Sequence, residues 1–189
     1  MLWSDRDTVR IGNQVWTIHN LDLSVFRNGD AIPEVKSNEE WTQAAKDKKP
    51  AWCYYDNDKT NESKYGKLYN WYAVIDPRGL APLGWHIPSE EEWLKVRGYA
   101  SNNSKTLSSL TSDWKGTCDK SIDSCGFKGL PGGLRMMTQF SEKGYFGNWW
   151  TTTSRGPRGV STIYLTNSKF SYGKFCDYSF GLSVRCVKD

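Results

Sequence analysis

Five cysteines and two histidines give this 189-residue chain its nucleophiles, general bases and soft-metal ligands, and their spacing equips none of them for that work. Zinc-binding and redox-active thiols come in closely spaced Cys-x-x-Cys pairs. Cys53, Cys118, Cys125, Cys176 and Cys186 contain no such pair, and His19 and His86 are far apart. An odd count leaves at least one thiol unpaired. Cys118 and Cys125, with polar turn residues between them, either close a small loop in an oxidising compartment or stay as thiols. No Gly-x-Ser-x-Gly elbow, phosphate loop or His-Glu-x-x-His helix is present, and two histidines leave little proton-transfer capacity near neutral pH. His86, between Trp85 and Ile87, is expected to be a hydrogen-bonded structural residue. Asp56-Asn57-Asp58 offers hard oxygens of the kind Ca²⁺ takes, but fits no EF-hand spacing and reads as an Asx-rich turn. The chain is therefore expected to be no enzyme and to carry no cofactor or metal.

The chemistry that remains is recognition. Between Trp149 and Tyr178 the sequence is dense in Tyr, Ser, Thr, Asn and Arg, as in a paratope: rigid rings supply contact area at low entropic cost and small polar groups adapt their hydrogen bonds. The candidate ligand-binding residues are Trp150, Thr152, Ser154, Arg155, Arg158, Thr162, Tyr164, Thr166, Asn167, Tyr172, Asp177 and Tyr178. Alternation along a strand from 159 to 167 points Ile163 and Leu165 inward and turns Thr162, Tyr164 and Thr166 outward together. Arg155 and Arg158 flank Gly156-Pro157 on a turn, where a guanidinium can pair with carboxylates or stack on sugar and aromatic faces. Trp149 is expected in the core.

The elements that must hold this surface are legible in part. Residues 9 to 27 alternate apolar and polar with β-branched enrichment and read as two short strands turning at Gly12-Asn13. Ser37-Asn-Glu-Glu40 is a capping box that opens a helix through about Lys48, stopped by Pro50. Ser89-Glu-Glu-Glu92 opens a second, to about Ala100, with Trp93, Val96 and Ala100 at helical spacing. Residues 101 to 125 read as mostly polar loop, and 126 to 136, 145 to 154, 159 to 167 and 181 to 187 as strands.

Composition narrows the function classes further. Ten Trp and ten Tyr mean that large amphipathic rings carry much of the core. A net charge of +4, evenly scattered, is no nucleic-acid footprint. No apolar run approaches the length of a membrane span, no secretory signal is visible, and no linker divides the chain, so residues 1 to 189 read as one domain.

Six ordered segments are more particular than this. They are Trp52-Cys-Tyr-Tyr-Asp-Asn-Asp58, Tyr65-Gly-Lys-Leu-Tyr-Asn-Trp-Tyr-Ala-Val74, Leu83-Gly-Trp-His-Ile-Pro-Ser89, Leu130-Pro-Gly-Gly133, Phe146-Gly-Asn-Trp-Trp-Thr-Thr152 and Gly181-Leu-Ser-Val-Arg-Cys-Val187. Over residues 9 to 189 this set resembles the Fibrobacter succinogenes major paralogous domain, a bacterial and phage family. The resemblance implies an α+β, C-type lectin-like fold related to formylglycine-generating enzymes: a mixed, mainly antiparallel sheet with two helices, long loops, and paired N- and C-terminal strands. It implies that Thr151 to Phe180 is a region that diversity-generating retroelements often rewrite. It further implies a receptor-recognition protein on a cell surface or virion, with a cell-surface protein or glycan as partner. Two alternatives are a fixed structural or adhesive module and a formylglycine-generating-type oxidase, the latter requiring a close reactive cysteine pair where this chain has Cys176 and Cys186 ten apart. Where the family usually has Cys-Pro before Gly-Trp-His, this chain has Ala81-Pro-Leu, so the usual partner of the terminal cysteine is missing; Cys186 is left free or pairs with Cys53 or Cys176.

Overall fold

A computed structural model describes residues 3–100, 107–108, 113–115, 123–156, 159–166 and 170–189, of which 172–175 by their backbone alone. Both expected helices begin at their serine caps. In α1 (Asn38–Lys46) the Ser37 hydroxyl accepts the Glu40 N–H. In α4 (Glu90–Tyr99) Ser89 and Glu92 each bond the other's backbone N–H, a full capping box. Two single-turn helices, α2 (Glu62–Tyr65) and α3 (Trp71–Val74), were not expected, because one turn shows no helical repeat. Asn70 starts α3: its Oδ1 accepts the N–H groups of both Ala73 and Ala51.

The first hairpin joins β1 (Thr8–Ile11) to β2 (Gln14–Thr17). Gly12, at its turn, has φ 63°, a left-handed conformation that favours glycine. The other edge of β2 pairs with β11 (Val187–Lys188), which pairs in turn with β5 (Trp85–His86), so the N- and C-terminal strands share one sheet. A second, three-stranded sheet has β9 (Val160–Leu165) between β8 (Gly147–Ser154) and β10 (Phe170–Cys176). Two short ladders complete the α+β fold: β3 (Trp52–Cys53) with β4 (Leu68–Tyr69), and β6 (Leu134–Arg135) with β7 (Phe140–Ser141). These strand pairs are antiparallel, and parallel pairing enters through single bridges such as Trp149–Ser183.

The expected strand at 126–136 contracts to β6, and 181–187 supplies bridges at 181–183 and the start of β11. Strand β10 was missed because a register shift between Tyr172 and Lys174 breaks the alternation that would have announced it.

The three-stranded sheet lies at the centre of the molecule, covered on both faces. Trp149, Ile163 and Leu165 pack with Trp93 and Val96 of α4 and with Trp16, Phe127 and Phe170. Trp150, Val160 and Cys176 pack with Tyr69, with Ala73 and Val74 of α3, and with Leu182 and Val184. Alternation yields a solvent face only when one side of a sheet sees water. Here it does not, and this overturns two expectations. Thr162 is 1% exposed with its hydroxyl 3.6 Å from Cys176 Sγ, and Trp150 is 0% exposed with its Nε1 donating to the Tyr69 carbonyl at 2.7 Å.

Two buried arginines tie loops to this core without a salt bridge to either guanidinium among the described residues. Arg185 donates to Asn20 Oδ1 and to the carbonyls of Thr17, Phe127 and Lys128, and stacks 4.6 Å from the Phe127 ring. Burial pulls its pKa down to about 9. Arg135 donates to the carbonyls of Val35, Lys36 and Ser37 and to Asn38 and Asn57, which fixes the approach to α1. Asn57 thereby belongs to a structural turn, as expected for the Asx-rich segment, and Asp58 caps the turn that follows by accepting the Thr60 N–H.

His86 is the hydrogen-bonded structural residue its setting predicted. Its Nδ1 lies 2.7 Å from Asp189 and its Nε2 2.7 Å from Glu92, joining β5, the α4 cap and β11's end. Partial burial lowers its pKa, but the two carboxylates outweigh that and raise it; burial raises Glu92, and its bonds to Ser89 and His86 lower it overall. A raised histidine contributes stability that is full below its unfolded pKa and is lost as pH rises through the folded one. The lowered Glu92 contributes above its unfolded pKa and is lost in acid. The wild-type melting temperature should therefore fall between about pH 6 and about pH 8 by more than that of His86→Phe. Thermal melts at the two pH values check this, and equal falls contradict it.

Candidate functional site

The sequence candidates divide into three groups. Trp150 and Thr162 belong to the core. Tyr164 and Thr166, both half-buried, lie at the end of β9 beside Gly147 and Phe170, where the Tyr164 ring is 5.9 Å from Phe146. Ser154 and Arg155 lie at the opposite end, where Ser154 pairs with Val160 and Val160 with Cys176. Arg158, Asn167, Pro157 and Cys118 lie outside the described residues, and Tyr172 is described only by its backbone, opposite Ile163.

The Ser154 end gathers an exposed group, and local irregularity explains how. Between Trp150 and Ser154 the register with β9 shifts, four steps along β8 matching two along β9. Such a bulge bends a strand and re-aims its side chains, and beyond it Thr152 and Ser154 are exposed where Thr151 is still buried. Thr151 Oγ1 donates to the Ser161 carbonyl at 2.6 Å, and the Thr152 N–H donates to the Pro88 carbonyl at 3.0 Å, so the backbone is fixed here, while exposed Ser154 Oγ accepts the Gly156 N–H at 3.2 Å.

The turn that follows is closed by Arg155 N–H to the Gly159 carbonyl and Gly159 N–H to the Gly156 carbonyl. The Tyr178 hydroxyl braces it by donating to the Gly156 carbonyl at 2.5 Å. The Tyr178 ring in turn packs 4.8 Å from Trp71 and 6.2 Å from Tyr72, both on α3. Asp177 is exposed beside them with its Oδ1 held by the Ser179 N–H. Burial, and then the nearby Asp177 and Tyr178, push the Tyr72 phenol above its usual pKa. Arg155 is not free to reach outward: it pairs with Glu90, a buried carboxylate in the first turn of α4.

The result is a shallow platform of tilted rings, Trp71, Tyr72 and Tyr178, with one carboxylate at its edge and two threonine and serine hydroxyls nearby. Sequence reading missed Trp71 and Tyr72. Their signal was Asn70, a capping residue before Trp-Tyr-Ala-Val, which starts a one-turn helix that buries Trp71 and leaves Tyr72 half-exposed. Trp71 Nε1 has no hydrogen-bond partner among the described residues. Rings pinned from behind cost little entropy on binding, which suits the platform to recognition by contact area and hydrogen bonds.

Cys53, Cys125 and Cys186 have thiol pKa values raised, chiefly by burial. Cys53 and Cys186 are buried thiols, Cys176 is buried with its Sγ 3.6 Å from the Thr162 hydroxyl, and Cys125 is a half-buried thiol. Burial pushes Cys53 up to about 11 and Cys186 well above its usual value, whereas a nucleophilic thiol needs a depressed pKa. Among the described residues no three His, Cys, Asp or Glu side chains converge as a metal site, and no helix is long and apolar enough to cross a membrane.

The six sequence segments supply framework, and the second and fifth also carry Trp71, Tyr72 and Thr152 of the platform. The first two supply β3, β4 and the α3 cap, the third carries His86, the fifth holds Trp149 and Trp150, and the last holds Arg185. In the fourth, Gly133 has φ 69°, and a Cβ there would come 2.4 Å from the Ser141 carbonyl. No curated protein and no solved structure matches the chain. The family model of the Fibrobacter succinogenes major domain matches residues 9–188, nearly the whole length. With its core built from the segments that carry the resemblance, the chain belongs to the Fibrobacter succinogenes major domain family.

Proposed function

We propose that this domain is a non-catalytic recognition module that binds a protein or glycan on a cell surface through the Tyr72–Tyr178–Asp177 platform and the adjoining Thr152 and Ser154 hydroxyls. One observation carries the reading: most described sheet residues within 151–180 are buried scaffold, while the exposed Thr152, Ser154 and Asp177 and the half-exposed Tyr72 and Tyr178 rings collect at one end of it. The raised thiol pKa values speak against the oxidase alternative. The scaffold is proposed to be C-type lectin-like and the protein to act outside the cell or on a virion. The test is binding of the fluorescently labelled domain to panels of bacterial cells and immobilised glycans. A Tyr72→Ala/Asp177→Ala variant with an unchanged melting temperature should bind about 10-fold more weakly, as loss of an aromatic anchor typically costs. Equal binding overturns the reading.

Retroelement diversification is proposed for the exposed positions whose side-chain bonds among the described residues are only local, Ser154 Oγ accepting the Gly156 N–H and Asp177 Oδ1 the Ser179 N–H. Sequencing the coding DNA across one population should find substitutions concentrated at adenines in the codons for Thr152, Ser154 and Asp177. A segment as invariant as the scaffold would end that proposal. Arg155 and Tyr178 favour a fixed surface at their own positions, because Glu90 and the Gly156 carbonyl already engage them.

A further inference from the structure

Away from the platform, the sheet that joins the two ends of the chain carries a cavity of about 300 Å³ on its outer face, and strand register explains it. Arg10 is opposite Val15, the pairing of Val187 with Trp16 puts Lys188 beside Val15, and Lys188 is opposite Trp85. Directly opposite residues share a face, so Arg10, Val15, Lys188 and Trp85 form one row across β1, β2, β11 and β5, with neighbouring strands about 4.8 Å apart. The adjacent row, Val9, Trp16, Val187 and His86, turns the other way, and its Trp16 and Val187 are core. A short valine between two long cationic side chains leaves a hollow with Val15 as its floor. Asp5 and Trp3, the latter edge-on to Trp85 at 4.8 Å, wall it from the segment before β1.

The fold does not use the two cations of this row. Arg10 and Lys188 are exposed and have no hydrogen bond or ion pair among the described residues, whereas the guanidiniums of Arg27, Arg78, Arg135, Arg155 and Arg185 are all engaged. The neighbouring carboxylates do not neutralise them. Asp7 Oδ2 accepts the Ser4 N–H and hydroxyl, and Asp189 Oδ1 lies 2.7 Å from His86 Nδ1. Asp5 alone lines the hollow as a carboxylate, and its side chain is likewise unpartnered among the described residues. Two cations and one carboxylate suit a ligand that carries a single negative charge and hydroxyl groups, because Asp5 repels a dianion such as phosphate and accepts a hydroxyl proton. Val15 and the Trp3 ring supply the apolar contact that fixes the rest of such a ligand.

We infer that this hollow binds a sugar acid, with the carboxylate between Arg10 and Lys188, a ring hydroxyl on Asp5, and the C–H face of the ring over Val15 and against Trp3. The chemistry is shared by a free sugar acid and by a uronate residue of a polysaccharide, and the two are separable. The experiment titrates the full ¹⁵N-labelled chain with sodium glucuronate at constant ionic strength against sodium chloride. Saturable shifts confined to the amides around 5–10, 15, 85 and 188, with a dissociation constant on the order of 1 mM, are expected. Methyl glucoside, which lacks the carboxylate, and Nα-acetyl-glutamate methylamide, which lacks the ring, should each bind at least about 5-fold more weakly. A tetramer of polyglucuronate that binds as tightly as the monomer assigns a polysaccharide, and one that is excluded assigns the free acid. Arg10→Gln and Lys188→Gln should keep the melting temperature, since neither side chain holds the fold, and should each weaken glucuronate binding about 5-fold. Glutamate derivative bound as tightly as glucuronate would mean an acidic protein segment instead of a sugar. That result, non-saturating shifts spread over all surface cations, or unchanged affinity in both variants overturns the inference.

Discussion

Replacing Arg185 with methionine is expected to cost about 4 kcal/mol, a large share of the ~5–15 kcal/mol that stabilises a domain. The substitution keeps an apolar stem of similar length, so the cavity left is small. The loss comes from the buried carbonyls of Thr17 and Phe127 and the part-buried carbonyl of Lys128, which lose the donor the structure provides them. Each unsatisfied buried acceptor costs about 1–3 kcal/mol, and the larger part of that range applies here because the donor was charged. Asn20 Oδ1 keeps Trp149 Nε1 as a partner and contributes less. Lysine should rescue little. Its single ammonium cannot span the planar fork of acceptors from β2 to the 127–128 segment, and it carries a larger desolvation cost than a guanidinium. Urea unfolding followed by tryptophan fluorescence measures both variants. A methionine variant within about 1 kcal/mol of wild type would show that the arginine is packing and not a hydrogen-bond hub.

Trp93→Ala should cost about 4 kcal/mol, through a different physical route. Trp93 is fully buried on α4 and packs 4.6 Å from Trp16, 5.7 Å from Phe127 and Trp149, and 6.3 Å from Phe170. Truncation opens a cavity among rings that cannot collapse into it, because each is held by its own element. Trp93→Phe separates packing from polar chemistry. Since Trp93 Nε1 has no hydrogen-bond partner among the described residues, phenylalanine gives up volume alone and should cost only about 1–2 kcal/mol. A phenylalanine variant as unstable as the alanine one would mean that the indole N–H matters after all.

These two residues also show why the sequence yielded the framework more readily than the surface. Trp93 announced itself through a capping box and helical spacing, both of which depend on residues within one or two turns of chain. The β1–β2 hairpin was legible for the same reason, its glycine turn and alternation being local. Arg185 could be placed in a family segment, but nothing near it in the chain indicates that its acceptors come from residues 17, 20, 127 and 128. Thr162 failed in a related way. Its alternation was read correctly, with Ile163 and Leu165 on one face, but whether the opposite face meets water is decided by α3 and residues 182–184, far away in sequence. The platform depended on two further features without a local signature: a strand bulge at 151–153, and a one-turn helix that brings Trp71 and Tyr72 against Tyr178. Composition singled out Asp177, Tyr178, Thr152 and Ser154 as candidates, and it had no means of excluding Trp150, whose ring looks the same whether it is an anchor or a core.

The account rests on a division between a fixed, buried scaffold and a surface that the scaffold carries but does not need. The most direct measurement is a pair of displayed libraries sorted for protease resistance. One randomises Thr152, Ser154 and Asp177, and the other Trp150, Thr162 and Trp149. The account predicts that most members of the first library remain folded and that the second collapses to near-native residues. If the first library is lost as completely as the second, the exposed end of the sheet is part of the fold's support, and the division on which the proposed function depends is wrong.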